Sequence, residues 1–334
     1  MVILIKKKSF SSSGVEIPSC EEWEQVSSYR NFFFAPKELG NPTIFGCTGI
    51  HDISDSTLRS DDYGKTWVTT SAPGGSYFYL GSNAWIVLRK LGISCSSDDG
   101  VNWTSVLSLP TGSYNYVSYY IPPPPVRLGG GDLIGVFSKY NSGTSDPRPD
   151  IFRSVNNGVS WASITYPALP TQVIPYSLTV LDDGDTLFLG TSGRTGISGD
   201  GGVTWTTTTN DTFPSPFNPT DHFFLGLEDG VVLALDYMGN VARSVDSGNN
   251  WACVSTVHNS WFNCSKRRII SPAPGVLFTN GDTSVYRSDD YGETWSTVLS
   301  GLNDIRGGIC FMADKTGKGV LLVGCYDGIW RTAA

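Results

Sequence analysis

Six copies of one eight-residue pattern constrain this 334-residue chain more than anything else in it. The pattern is serine, any residue, aspartate (once asparagine), any residue, glycine, two further residues and tryptophan. The copies run Ser60–Trp67 (SDDYGKTW), Ser96–Trp103 (SSDDGVNW), Ser154–Trp161 (SVNNGVSW), Ser198–Trp205 (SGDGGVTW), Ser244–Trp251 (SVDSGNNW) and Ser288–Trp295 (SDDYGETW). Runs such as TLRS, IFRS, VARS and VYRS precede them, and WVTT, WASI, WACV and WSTV follow. Both flanks alternate as strands do, so each copy reads as the turn of a hairpin. A repeat of this kind, spread over nearly the whole chain, calls for a radial array of small sheets rather than one sheet around one core.

Each residue type suits that turn. The acids Asp62, Asp98, Asp200, Asp246 and Asp290 can accept backbone amides, and Asn156 offers an amide oxygen for the same bonds. The serine adds a local side-chain bond, and the glycine supplies positive φ. Trp67, Trp103, Trp161, Trp205, Trp251 and Trp295 each open the next strand and can bury a large apolar surface between hairpins. With one or two carboxylates per turn, calcium binding is not expected.

The tryptophans also set the number of sheets. Trp205, Trp251 and Trp295 are spaced by 46 and 44 residues, and 44 residues before Trp67 stands Trp23, in a segment without the pattern. The chain ends in YDGIWRTAA, where GIWRT matches the strands before the pattern but nothing follows it. The missing pieces are complementary. Residues 20–27 are expected to pair beside residues 328–332, closing a seventh unit and leaving no open sheet edge. A ring of six with frayed ends is the alternative.

The six copies resemble the Asp-box, or bacterial neuraminidase repeat, of sialidase-like β-propellers. That resemblance implies turns between the third and fourth strands of each blade, with a structural rather than catalytic role. The fold expected is therefore all-β: a seven-bladed β-propeller of four-stranded antiparallel blades over residues 15–334, closed by pairing of the N-terminal strand with the C-terminal blade. Residues 1–14 form an arm before it. In such propellers the turns occupy one face; the loops entering each blade, and those joining its second and third strands, make the opposite one.

Composition narrows the function. Formal charge is −8, with basic clusters only at Lys6 to Lys8 and Lys266 to Arg268, so nucleic acid is not an expected partner. No apolar run reaches membrane-spanning length, and MVILI followed by KKK has the wrong order for a signal peptide. Seven scattered cysteines show no metal-ligand spacing and read as buried thiols in a reducing compartment. His51, His222 and His258 are widely separated, so neither a metal nor a cofactor is expected.

Sialidases carry an arginine triad, but the nearest match to their first arginine motif, Tyr29-Arg30-Asn31-Phe32, lacks the isoleucine and proline. Arg59, Arg153, Arg243, Arg287 and Arg331 recur at one repeat position and read as blade structure. Xyloglucan-cleaving enzymes are also similar, but they place two carboxylates across a cleft between two propellers, and one ring has no such cleft. The expectation is a protein without enzymatic activity that recognises a glycan or cell-surface receptor. Its ligand-binding candidates lie in the loops opposite the turns: His51 and Asp52; Tyr114, Tyr116 and Tyr119; Arg148; His222; and His258 and Trp261. Aromatic faces beside planar polar groups suit sugars. The serine-rich N-terminus resembles the openings of some phage virion proteins, which implies a virion location with the arm docked on other virion proteins. An intracellular scaffold similar to the photosystem assembly factors is the alternative, and a glycoside hydrolase the least favoured.

Overall fold

The computed structural model describes residues 17–18, 20, 22–28, 31–34, 41–48, 57–89, 92–109, 122–139, 148–164, 175–191, 194–208, 213–218, 222–257, 269–313 and 317–332. Every regular element among them is a strand. The arm expected over residues 1–14 lies outside the described residues.

The first strand, β1 (Trp23–Ser27), stands apart from its neighbours in sequence. Blade 1 is β2 (Asn31–Phe34), β3 (Ile44–Thr48), β4 (Thr57–Ser60) and β5 (Val68–Thr70). Blade 2 is β6 (Ser76–Gly81), β7 (Ala84–Arg89), β8 (Gly92–Ser96) and β9 (Thr104–Ser108). Blade 3 is β10 (Val126–Arg127), β11 (Leu133–Lys139), β12 (Arg148–Ser154) and β13 (Ala162–Ile164). Blade 4 is β14 (Pro175–Val180), β15 (Leu187–Thr191), β16 (Arg194–Ser198) and β17 (Thr206–Thr208). Blade 5 is β18 (His222–Gly226), β19 (Val232–Asp236), β20 (Asn240–Ser244) and β21 (Ala252–Thr256). Blade 6 is β22 (Ile269–Ala273), β23 (Val276–Asn280), β24 (Val285–Ser288) and β25 (Ser296–Leu299). Blade 7 is β26 (Ile305–Ala313), β27 (Gly319–Cys325), β28 (Ile329–Thr332) and the returning β1. All pairings within blades are antiparallel, and first strands of neighbouring blades touch, as β2 does β26 and β14 does β18. First strands therefore line the axis and fourth strands the rim. The protein is a seven-bladed β-propeller.

The clasp forms as the sequence predicts. Trp23 pairs with Thr332, Glu24 with Arg331, Gln25 with Trp330 and Ser27 with Ile329. Gly328 is required there, because a Cβ on it would sit 1.9 Å from the Ser27 carbonyl oxygen. The seventh blade also keeps a remnant of the repeat turn that the sequence conceals. Cys20 adopts φ 60°, and the Trp23 indole N–H donates to its carbonyl at 3.0 Å. In the intact turns the glycine three residues before the tryptophan makes the same contact, as Gly64 does with Trp67 at 3.0 Å. Cysteine thus stands in the glycine position of a turn that has lost its serine and aspartate.

The six intact turns all connect third to fourth strands and share one bonding scheme. In the first, Ser60 Oγ donates to Asp62 Oδ1 at 2.8 Å and accepts the Gly64 N–H at 2.9 Å. Asp62 accepts the Thr66 N–H at 2.9 Å and its hydroxyl at 2.6 Å. Asn156 keeps the backbone bond, accepting the Ser160 N–H at 2.9 Å, while its amide nitrogen donates to Ser160 Oγ at 2.8 Å. Two successive left-handed residues make each turn, not the glycine alone: Tyr63, Asp99, Asn157, Gly201, Ser247 and Tyr291 also have φ between 56° and 68°. Such a pair matches the twist of the strands it joins.

The turns also join blades. In four of the turns a Cβ on the glycine would strike the second strand of the preceding blade: Gly64 against Leu322, Gly100 against Phe45, Gly158 against Ile86, Gly248 against Phe188. The turn tryptophan packs in the same seam, Trp67 with Leu322 and Met312 of blade 7, and Trp161 with Ile86 and Leu88 of blade 2. Burying a ring of this size contributes about 2–3 kcal/mol, so the repeat glues neighbours as well as reversing the chain. The recurrent arginines, read from the sequence as blade structure, divide between the seams and their own blades. Arg59 donates to Asp99 of blade 2 at 2.9 Å, Arg243 to Glu293 of blade 6 at 2.5 Å, and Arg331 to the Tyr63 carbonyl of blade 1 at 3.2 Å. Arg153 and Arg287 stay within their blades, on Asp132 and Asp289.

Cys20, Cys95, Cys253, Cys310 and Cys325 are free thiols. No helix is long and apolar enough to cross a membrane, and no group of three potential metal ligands occurs among the described residues.

Candidate functional site

The face opposite the turns is built from the loops between second and third strands and from the connections between blades. His51, Asp52, Tyr114, Tyr116, Tyr119, His258 and Trp261 lie outside the described residues. Arg148 opens β12 opposite Lys139, at the end of its hairpin on this face. His222 is different. It is completely buried, opposite Asp236 in register, with Nε2 3.0 Å from Thr195 Oγ1. Its ring lies 4.9 Å from that of Phe224 and 5.8 Å from that of Phe213. It is a core residue between blades 4 and 5, not an exposed loop histidine.

What covers His222 is the segment 213–218. Phe213 and Phe217 stack at 4.7 Å, and Phe213 also meets Trp251 at 4.9 Å. The buried Asp236 at the end of β19 holds the segment down: it accepts the Asn218 N–H at 2.8 Å and the N–H groups of Met238 and Asn240 at 2.9 and 2.8 Å. A carboxylate buried this way is stable because backbone and amide donors surround it. Asn218 also donates to the Tyr237 hydroxyl at 3.1 Å, which carries the order outward to the face.

A second cluster on this face joins blades 6 and 7. The Tyr326 N–H reaches the carbonyls of Asn303 and Asp304, both at 2.9 Å, and the Ile305 N–H reaches that of Asp282 at 2.6 Å. Three aspartate-bearing turns, at 282, 304 and 327, are thereby gathered. Their charge is felt: burial first, then Asp327 and Asp304, push the Cys325 thiol up to about 12. Tyr326 is 38% exposed and is the aromatic member among the exposed large hydrophobic residues described. Carboxylates that accept hydroxyl protons beside an exposed ring suit a hydroxyl-rich ligand. The repeat pattern does not single these residues out. Their signal is the recurrence of GDTS and YDG at corresponding corners of blades 6 and 7, with NDI in the connection between them.

Fold and site together define a single-ring, seven-bladed propeller with a polar, aromatic loop face opposite its repeat turns. No family model matches the chain, so the Asp-box resemblance rests on the repeat residues themselves. A curated xyloglucanase from Paenibacillus sp is 24% identical over 283 residues, covering 72% of this chain and 23% of that protein. The chain thus spans about a quarter of the length of that relative. Among solved structures, YCF48 bound to D1 peptide superposes with a TM-score of 0.63 at 15% identity, covering 96% of this chain and 100% of that one. An ancestral GH74 enzyme gives a TM-score of 0.63 at 13% identity, covering 93% of this chain and 46% of that one.

These relatives correct the expectation of a chain without enzymatic activity: a curated relative is named a xyloglucanase, and a solved enzyme contains the same ring. That expectation rested on a lone ring having no cleft. A ring of this fold makes up about half of a glycoside hydrolase, so the shape of one ring does not argue against hydrolysis. The virion setting finds no support in these relatives.

Proposed function

We propose that this ring is a glycan-binding propeller of glycoside-hydrolase type, taking a xyloglucan-like polysaccharide on the face opposite its repeat turns. The observation that carries the reading is the sequence match to a xyloglucanase over 72% of the chain, far more than the turns alone occupy. Asp282, Asp304 and Asp327 supply acceptors for sugar hydroxyls, and Tyr326 a ring for a sugar face. Glycoside hydrolysis uses two carboxyl groups, one to protonate the leaving oxygen and one to act on the other side of the sugar. This acidic corner is where such groups are to be sought. The test is affinity electrophoresis of the purified chain in xyloglucan, with reducing-sugar release measured in parallel. Retardation that Tyr326→Ala and Asp327→Asn abolish is expected. Migration unchanged by xyloglucan and by other β-glucans, with no sugar released, would overturn the reading.

A second reading is a protein-binding scaffold. It is favoured by the match to YCF48 bound to D1 peptide, which covers 96% of this chain and 100% of that one. A glycan array separates the two: saccharide binding favours the first, and its absence together with stable capture of one protein complex favours the second.

A further inference from the structure

The turn-bearing face carries a feature that neither the ring nor its glycan-binding reading uses. Val101, Val155, Val159, Val203 and Val245 are 67%, 74%, 65%, 55% and 64% exposed. All sit at the variable positions of the repeat turns, where no side-chain bond of the turn needs them. They occur in blades 2 to 5, which follow one another around the ring. In blades 1 and 6 the corresponding positions are charged: Asp61 and Lys65, Asp289 and Glu293. β-Branched residues have no propensity reason to occupy solvated turns. Five of them on one sector of one face, and charges on the sectors beside it, point to something that covers that sector.

The surface next to the valines is acidic. In blades 4 and 5 the hairpins between first and second strands present Asp182, Asp183, Asp185 and Asp229, all exposed. These hairpins are bonded directly to the valine-bearing turns: the Gly201 N–H donates to the Asp185 carbonyl and the Ser247 N–H to the Gly230 carbonyl, both at 3.0 Å. Asp182 bridges the blades by accepting the Asp229 N–H at 2.7 Å. In blades 4 and 5 valines and carboxylates therefore share one hydrogen-bonded surface. The arginines beside these turns are already engaged: Arg243 by Glu293, Arg153 by Asp132, and Arg127 by the Gly131 carbonyl and Asn157 Oδ1.

We propose that this sector docks a basic protein segment that interleaves lysine or arginine with aliphatic or aromatic side chains. The valines take its apolar residues, and the aspartates pair with its cations. Charge selects this occupant over the others. A second copy of the chain, itself at −8, would bring the same acidic surface against this one, and an anionic lipid surface or nucleic acid would be repelled. The site lies on the face away from Tyr326 and Asp327, so its success or failure is independent of glycan binding.

The test uses the full chain and a labelled synthetic peptide of alternating arginine and leucine, followed by fluorescence anisotropy. A quadruple variant, V155S/V159S/V203S/V245S, removes the apolar arc, and a double variant, D185N/D229N, removes exposed charge. The expected result is saturable binding, weakened about tenfold or more by the quadruple variant with an unchanged melting temperature, and weakened with loss of salt dependence by the double variant. Equal affinity for the wild-type chain and the quadruple variant would reduce the interaction to unspecific charge attraction and overturn the proposal. A lowered melting temperature of the quadruple variant would overturn it too, by giving the valines a structural role. Concentration-dependent dimerisation lost in the quadruple variant would instead make the occupant a second copy, which also overturns it.

Discussion

Replacing Gly248 by alanine tests the idea that the repeat turns hold neighbouring blades together. Gly248 has φ 84°, and a Cβ there would lie 2.2 Å from Phe188 Cζ and 2.6 Å from Cε1. Phe188 belongs to the preceding blade, is fully buried, and is hemmed in by Phe224 at 5.3 Å and Trp251 at 6.3 Å between ring centres. It has no space to retreat into, because close-packed interiors yield little. Two costs follow: about 1–2 kcal/mol for alanine in a left-handed conformation, and about 1–3 kcal/mol for overpacking the seam. Gly301 is the control, with φ 80° and open space for 4 Å around the point a Cβ would occupy. Gly301→Ala carries the first cost alone, about 1–2 kcal/mol. Urea denaturation followed by tryptophan fluorescence gives both values, and Phe188→Leu in the Gly248→Ala background restores part of the loss by vacating the seam. If the two alanine variants are destabilised equally, within about 0.5 kcal/mol, the turn glycines serve only the local backbone and the seam argument is wrong.

Other consequences can be checked separately. Hydrogen bonds from Asn102 and Ser96 hold Asp98 down to about 2, and bonds from Asn250 and Ser244 do the same for Asp246. These folded values lie below the unfolded value of about 3.9, so the stabilisation is complete above pH 4 and disappears as pH falls towards 2. Melting temperature should drop over that window, and less steeply in the D98N/D246N variant; identical slopes would contradict this. Asp290→Asn should be nearly neutral, because Asn156 already fills that role in blade 3, whereas Asp290→Ala should cost about 1 kcal/mol by leaving the Thr294 N–H and Ser288 hydroxyl without their acceptor. Trp23→Ala should destabilise the ring by about 3 kcal/mol, the lower end for tryptophan because the side chain is only partly buried. Hydrogen exchange should then rise first at the amides of β28; uniform exchange across all blades would deny the clasp its special status.

The number of blades is readable because a tryptophan in a packed seam must recur once per blade, and Trp23 kept its interval even after its turn had decayed. The pairing of residues 20–27 with 328–332 follows from the need to cover a sheet edge. Other features leave little trace. The second left-handed residue of each turn is tyrosine, aspartate, asparagine, glycine or serine, since the turn geometry and not the residue type imposes its φ. The partners of the recurrent arginines come from unrelated positions, Asp99 in one seam and Glu293 in another, so only the arginines look periodic. His222 follows the polar run NPTD and reads as a loop residue; it is buried because Phe213 and Phe217 fold back over it, a contact between segments that spacing does not encode. Tyr326 and Asp327 read as the corner before the last strand, which they are, and not as part of a face. The expectation of no catalysis failed for another reason: the chemistry of a ring can depend on what it is joined to, and its own residues do not record that.

Arg331 and Glu24 form an ion pair across 307 residues of chain, and this sets the order in which the protein can be made. As the polypeptide leaves the ribosome, β1 emerges first and must stay unpaired while six blades assemble behind it. Its partner strand, β28, is made only after all of them. The nascent chain therefore carries an unsatisfied strand while six blades are synthesised, exposed to any neighbour with a free edge, and it loses that liability only when β28 arrives.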